Sequence, residues 1–279
     1  MAMCLMAHRV LRGTQMLKLT GLALATSALA AVATPAAAAD YIPRPVPVPQ
    51  AVLKGWYLRG DIGMTNQQID GIDNVLFDTT ADLVIHDENF EAGMSFGGGI
   101  GYAFNNWFRV DITGEYRGET EFHGFDTWTD VNLDPRFNDY TAKKSEWLAL
   151  INAYVDLGSW HGISPFVGAG VGAANIAIRS FRDAGIDYGT PGDPTTGFPT
   201  MAYADDNDEW NFAWALYAGL GFKVTPATTL ELSYRYLDMG DAESGDIIAF
   251  DGTNLIDNPM EFESVTSHDL RLGVRYSFW

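Results

Sequence analysis

Apolar and polar side chains alternate in eight separate runs along the chain. A period of two places successive side chains on opposite sides of a pleat, so each run predicts a strand with one apolar and one polar face. In the run from Lys54 to Met64, Trp56, Leu58, Ile62 and Met64 share one face and Tyr57, Arg59 and Asp61 the other. Gly93 to Phe104 sets Met94, Phe96, Ile100, Tyr102 and Phe104 against Ser95, Gly97, Gly99, Gly101 and Ala103. Trp107 to Arg117 sets Phe108, Val110, Ile112 and Tyr116 against Arg109, Asp111, Thr113, Glu115 and Arg117. The fourth run, Glu146 to Leu157, is less regular, because Leu148 and Leu150 fall on the side that carries Asn152, Tyr154 and Asp156. Ser164 to Ile176 alternates Val167, Ala169, Val171 and Ala173 with glycines. Trp210 to Lys223 opposes Phe212, Trp214, Leu216, Leu220 and Phe222 to Asn211, Tyr217 and Lys223. Thr228 to Tyr236 opposes Leu230, Leu232, Tyr234 and Tyr236 to Glu231, Ser233 and Arg235. The last, His268 to Trp279, opposes Leu270, Leu272, Val274, Tyr276 and Phe278 to Asp269, Arg271, Gly273, Arg275 and Ser277.

Runs of about 9–13 residues, at ~3.3 Å per residue and a ~40° tilt, match the ~25 Å apolar band of an outer membrane. Connections after the second, fourth and sixth runs are short. Those after the first, third, fifth and seventh are roughly 25 to 33 residues, well above the usual loop length. The pattern predicts an all-β fold: an eight-stranded antiparallel up-and-down transmembrane β-barrel with four long extracellular loops and short periplasmic turns. A soluble barrel alternates as well, and the second face separates the two. In water Gly97, Gly99 and Gly101 would turn bare backbone outward; in a narrow membrane barrel they face an interior short of space. Trp56, Phe104, Trp107, Phe108, Trp210, Phe222, Phe278 and Trp279 gather near strand ends, as in interfacial girdles. The later chain offers no apolar run of about 18 residues, which excludes helical spans.

The N-terminal part reads differently. Arg9, Arg12 and Lys18 precede the apolar stretch Leu19 to Val32 and the small residues Ala36 to Ala39, the parts of a secretory signal peptide over residues 1–39. Met16 offers a second start. Pro43, Pro45, Pro47 and Pro49 predict a semi-rigid periplasmic tether over 40–53, leaving 54–279 as the barrel. The single cysteine, Cys4, falls in the signal segment, so no disulfide is expected. A net charge of −19 argues against nucleic acid as a partner. The four long connections hold most of the 36 acidic residues, densest at Asp205-Asp-Asn-Asp-Glu209. Such loops can take calcium, but the spacing matches no ligand cage, and a solvated acidic face is the plainer reading.

The inward faces carry Arg59, Asp61, Arg109, Asp111, Glu115, Arg117, Glu231, Arg235, Asp269, Arg271 and Arg275. A lone buried charge is costly, so these must pair or meet water. They predict either a plug of salt bridges or a pore lined by charged rings. Eight strands leave an interior just wide enough for side chains, which favours the plug. Glu263, Ser264, Ser267 and His268 are the one cluster with residue types suited to hydrolysis. Without a Gly-x-Ser-x-Gly motif or zinc spacing, the chain is read as a non-enzyme needing no cofactor.

Three segments carry a family resemblance: Ile151-Asn-Ala-Tyr-Val-Asp-Leu157, Pro165-Phe-Val-Gly-Ala-Gly-Val-Gly172 and His268-Asp-Leu-Arg-Leu-Gly-Val-Arg-Tyr-Ser-Phe278. They resemble the small eight-stranded outer-membrane barrels of the OmpA type, closest to the porin-like surface antigens of α-proteobacteria. The resemblance implies the Gram-negative outer membrane, with its lipid, lipopolysaccharide and barrel-assembly machinery as partners. It implies an antigen, adhesin or structural role, with a host or cell-surface ligand at the loops. The alternative is a small porin for ions or small solutes, and a remote one a lipid-modifying barrel enzyme. It also makes Tyr276, Phe278 and Trp279 the assembly signal, although Trp279 extends the usual Tyr-x-Phe ending by one residue.

Overall fold

The computed structural model describes residues 54–77, 80, 82–129, 134–188 and 197–278. The expected signal segment and tether, and Trp279, lie outside the described residues. Strand β1 (Gly55–Gln68) pairs on one side with β4 (Gly93–Ala103) and on the other with β14 (Thr266–Ser277). From β4 the wall runs through β5 (Phe108–Thr129), β6 (Pro135–Asp156) and β7 (Ile163–Tyr188). It returns through β9 (Asn207–Lys223) and β10 (Thr228–Asp238) to β14. Every pairing is antiparallel, and the eight strands close into a ring that satisfies both edges of each member.

Side chains fix two of the short turns. Asn105 Oδ1 accepts from the amides of Trp107 (2.9 Å) and Phe108 (2.8 Å), and Thr225 Oγ1 from those of Ala227 (3.3 Å) and Thr228 (2.9 Å). Short polar side chains thus replace backbone partners where the chain reverses. Along β1 the outward residues are Trp56, Leu58, Ile62 and Met64, at 57, 48, 49 and 66% exposure, while Tyr57, Arg59 and Asp61 are buried inside. So exposed a belt is tolerable only where lipid covers it. Aromatic clusters edge the belt: Trp56–Tyr102 (5.3 Å) and Tyr102–Phe104 (5.1 Å) at the short-turn end, Tyr116–Trp147 (4.8 Å) and Trp214–Tyr236 (5.4 Å) at the other. Inside, a Cβ on Gly101 would collide with the Tyr57 ring, and one on Gly168 with that of Tyr154. The absent side chains are what let two tyrosines lie across so narrow a lumen.

The long connections are more ordered than expected. β5 and β6 continue as one hairpin well beyond the upper aromatic cluster. β7 also continues, exchanging its partner β9 for β8 (Gly197–Ala204), on which β12 (Ile247–Ala249) is added. β3 (Val84–Phe90) pairs with the extension of β5. β2 (Gly71–Asp73), β13 (Glu261–Glu263) and β11 (Ala242–Glu243) form a separate small sheet. The two connections expected as loops after the third and fifth runs are therefore largely strand.

A change of phase explains the difference. Up to Arg117, β5 turns apolar residues outward and charged ones inward. The ladder then shifts between Arg117 and Thr120, a bulge that re-aims the strand. Beyond it Phe122 is buried inside while Glu121 and His123 stand outside. Alternation whose polarity inverts in mid-strand reads, in sequence, as a strand that ends.

Candidate functional site

β5 supplies Arg109, Asp111, Glu115 and Arg117 to the lumen from alternate positions, and the facing strands answer with opposite charge. At the short-turn end Arg275 Nε lies 2.9 Å from Glu231 Oε1. Glu231 also meets Arg109 (3.3 Å) and Arg59 (3.8 Å), and Arg109 reaches Asp156 (3.4 Å). Arg59 donates to Asp61 (2.7 and 3.0 Å) and to Asp111 (2.9 Å). Arg271 joins Asp61 (3.5 Å) to Glu115 (2.9 Å). Arg235 forks onto Glu115 at 2.9 and 2.6 Å and reaches Asp269 at 2.5 Å. Arg117 links Asp269 (3.0 Å) to Glu146 (3.2 Å), and the buried Lys144 pairs with Glu146 and Gln67.

Seven cations (Arg59, Arg109, Arg117, Lys144, Arg235, Arg271, Arg275) thus meet seven anions (Asp61, Asp111, Glu115, Glu146, Asp156, Glu231, Asp269) in one connected, formally neutral ladder. Aromatic groups fill the gaps. Tyr57 Oη donates to Asp111 (3.0 Å), Arg59 donates to Tyr154 Oη (2.8 Å), and the Arg109 guanidinium lies 4.2 Å from the Tyr154 ring centre. Arg109 and Arg271 keep buried nitrogens without a hydrogen-bonding partner among the described residues, positions suited to water.

Eleven of these charges are those expected in the lumen, and Asp156 lies on the polar side of the fourth run. Lys144 and Glu146 are additions. Their signal was the step of two along β6, through Lys144, Glu146, Leu148, Leu150, Asn152, Tyr154 and Asp156. Buried leucines in the middle of it broke the polar pattern.

The ladder ends under an apolar cap. Lys144 Nζ lies 4.4 Å from the ring centre of Phe90. Phe90 packs on Phe122 (5.1 Å) and Phe262 (5.7 Å), and the last two meet edge to face (4.9 Å). One ring comes from β3, one from β5 and one from β13. Ile72, Leu237, Met239, Met260 and Val265 are buried in the same cluster. Backbone bonds from Met239 N to Val265 O (2.9 Å) and Val265 N to Gly240 O (2.7 Å) tie β13 to the wall.

The residues considered for hydrolysis do not converge. Ser267 lies inside, donating to Asp269 (2.5 Å) and accepting from Arg117 (2.6 Å). His268 lies on the outer surface, its Nδ1 2.5 Å from Tyr234 Oη. From the acidic run, Asp206 and Asp208 take the Arg179 guanidinium (3.0 and 2.9 Å). Asp241, Glu243, Glu261 and Glu263 border an open hollow of about 330 Å³. The Glu261 carboxyl is raised above its usual range by partial desolvation and then by Glu243, Asp73, Glu263 and Asp241. Glu91, Glu121 and His123 bring ligand atoms within 4.8 Å of one another on the exposed outer surface, a set that could hold a divalent metal. Tyr276 and Phe278 face outward at the short-turn end, where the Phe278 amide donates to Trp56 O (2.9 Å).

Comparison with known proteins gives a consistent family. Residues 24–278 match the family described as outer membrane protein beta-barrel domain. An uncharacterized protein of Brucella abortus (strain 2308) is 31% identical over 288 residues, covering 87% of this chain and 93% of that protein. A Rickettsia rickettsii protein designated a candidate adhesin is 27% identical over 230 residues, covering 79% of this chain and 87% of its own. Among solved structures, outer membrane protein OprG from Pseudomonas aeruginosa is 11% identical, covering 81% of this chain and 98% of that one, with a TM-score of 0.44. Neisserial surface protein A is 16% identical, covering 80% and 97%, with a TM-score of 0.41.

Proposed function

The chain belongs to the outer-membrane β-barrel family and resides in the Gram-negative outer membrane, and from that footing we propose that it is a surface barrel with a closed lumen that works at its long-connection end. The observation that carries this reading is the ladder together with its cap. A neutral series of ion pairs runs from Asp156 to Lys144, and Phe90, Phe122 and Phe262 cover its end. An ion passing through would have to break buried pairs in turn and then cross an apolar layer.

In this reading the short turns face the periplasm and the long connections face outward. The belt meets outer-membrane lipid, with lipopolysaccharide at the upper aromatic cluster. The work left to the protein is recognition, adhesin-like in kind, through a surface whose acidic hollow favours cationic partners. The name given to the Rickettsia relative points the same way. Catalysis is not part of the proposal.

Single-channel recording of the purified barrel in planar bilayers tests it. Silence is expected from the wild type and from Arg235→Gln. A reproducible conductance whose ion selectivity changes in Arg235→Gln would overturn it. The unpartnered nitrogens of Arg109 and Arg271 support a second reading, a narrow porin with a wet lower lumen, and that conductance is its signature.

A further inference from the structure

We propose that a cavity at the long-connection end, between the β5–β6 hairpin, the β2–β3 connection and the segment joining β12 to β13, binds a primary alkylammonium ion. Its volume is about 140 Å³, room for roughly four or five water-sized groups at ~30 Å³ each. Asp126, Asp183 and Tyr140 supply its acidic part, and Trp128, Phe77 and Met260 much of its apolar wall. Among the described residues, no lysine, arginine or histidine lines it.

The two carboxylates are placed unusually for anions. Asp126 is fully buried and accepts from Tyr140 Oη (2.6 Å), Asn138 N (3.2 Å) and Asn138 Nδ2 (3.2 Å), all neutral donors. Asp183 stands across from Tyr140 on the neighbouring strand and accepts no hydrogen bond from the described residues. Burial, with Asp126 and Asp139 adding, pushes its carboxyl up to about 7. The other charged or titratable groups close by lie outside the lining. His86 is bonded to Thr127 Oγ1 (2.6 Å), and the Arg136 guanidinium is 5.4 Å from the Trp128 ring centre. A fully buried and a partly exposed carboxylate beside aromatic rings, with no cation in the described lining, are the recognition chemistry of an ammonium head on a short apolar stem. A hard divalent metal fits poorly. It needs six to eight oxygens, whereas the side-chain oxygen of Asn74 already accepts from the Leu76 amide (3.0 Å) and Asn138 turns its NH2 toward Asp126.

The pocket chemistry stands on its own; only the source of the amine rests on reading this end as the cell exterior. A free amine or polyamine and a lysine side chain share the head group, so the experiment separates them. The intact barrel in detergent is titrated calorimetrically with butylammonium, n-butanol, cadaverine and Nα-acetyl-lysine amide. Butylammonium should bind one per chain and n-butanol should give no heat. Binding should weaken about tenfold (~1.4 kcal/mol) in Asp183→Asn and again when wild-type protein is taken from about pH 8 to about pH 5.5. His86→Gln should keep that pH effect and Asp183→Asn should lose most of it, the remainder belonging to Asp126, whose carboxyl burial also raises. Cadaverine tighter than the lysine amide assigns a free amine, and the reverse order assigns a lysine side chain. Migration before and after boiling verifies folding of each variant; if Asp183→Asn does not fold, the pH effect on wild type and His86→Gln decides. Absent binding, or binding indifferent to Asp183→Asn and to pH, overturns the site. Neither result bears on whether the lumen conducts.

Discussion

The lower lumen and the capped upper interior are built from continuous strands, yet their interiors are opposites. Below the bulge in β5 the inside holds Arg109, Asp111, Glu115 and Arg117; above it, the same strand buries Phe122 beside Phe90 and Phe262. What changes between them is the solvent outside. Lipid accepts an apolar outer surface and gives no reward for hiding one, so the lower interior is free to be polar and is held by paired charge. Water outside the upper part makes burial of apolar surface the driving force. The two regions should therefore fail by different mechanisms.

The largest expected effect is in the ladder. Arg235→Gln keeps the bulk but strips the forked partner of Glu115 and one partner of Asp269. Breaking a buried pair costs on the order of 3–5 kcal/mol, to be read as a lower urea midpoint for loss of the heat-shifted gel band. Phe262→Ala should come next, at about 3 kcal/mol, from lost burial and the cavity left behind. Its damage should stay in the cap: faster proteolysis of the long connections, with the ring's gel shift intact. If Phe262→Ala unfolded the ring as readily as Arg235→Gln, the two regions would be one cooperative unit and the distinction would fall.

The division also decides what could be read from sequence. Where one solvent borders the whole strand, as along Tyr57 to Met64 and Asp269 to Ser277, alternation alone places each side chain. It fails where the outer solvent changes, since the signal in β5 inverts near Arg117 and the extension to Thr129 is lost. Lys144 and Glu146 were hidden for a related reason, because Leu148 and Leu150 occupy the same inner face and mimic a strand buried on both sides. The cap and the acidic cavity lie beyond local pattern altogether. Phe90 and Phe262 come from elements far apart in the chain, while Asp126 and Asp183 meet only because two successive hairpins set β5 and β7 on either side of β6.

A smaller effect should separate the regions by pH. The Asp183 carboxyl titrates near 7 in the folded cap, whereas an unfolded aspartate titrates near 3.9. The folded state thus holds the proton more tightly, and cap stability should fall as pH rises from about 4 to about 7, then level off. Asp183→Asn should remove most of that slope, leaving the share of the burial-raised Asp126, and raise cap stability at pH 8 by ~1–3 kcal/mol, measured as slower proteolysis or hydrogen exchange in the β7–β8 hairpin. A slope unchanged in Asp183→Asn would place the titrating group elsewhere.

The smallest effect is the sharpest control on the comparison. Arg179 holds Asp208 with both carboxylate oxygens, at 2.9 and 3.0 Å, and Asp206 at 3.0 Å. In contact geometry it rivals Arg235. In surroundings it does not, since its side chain is 41% exposed and that of Arg235 is 1%. Water solvates the separated ions nearly as well as they solvate each other, so Arg179→Ala should cost only ~0.2–1 kcal/mol, and less as salt rises. Asp206 also accepts from the Ser180 amide (3.2 Å), where φ is +53° at the irregular step in β7. Any excess loss should therefore appear as local exchange at Ser180 with no shift in the global midpoint. A cost near that of Arg235→Gln would mean that contact geometry governs these pairs, and the contrast drawn from solvent would be wrong.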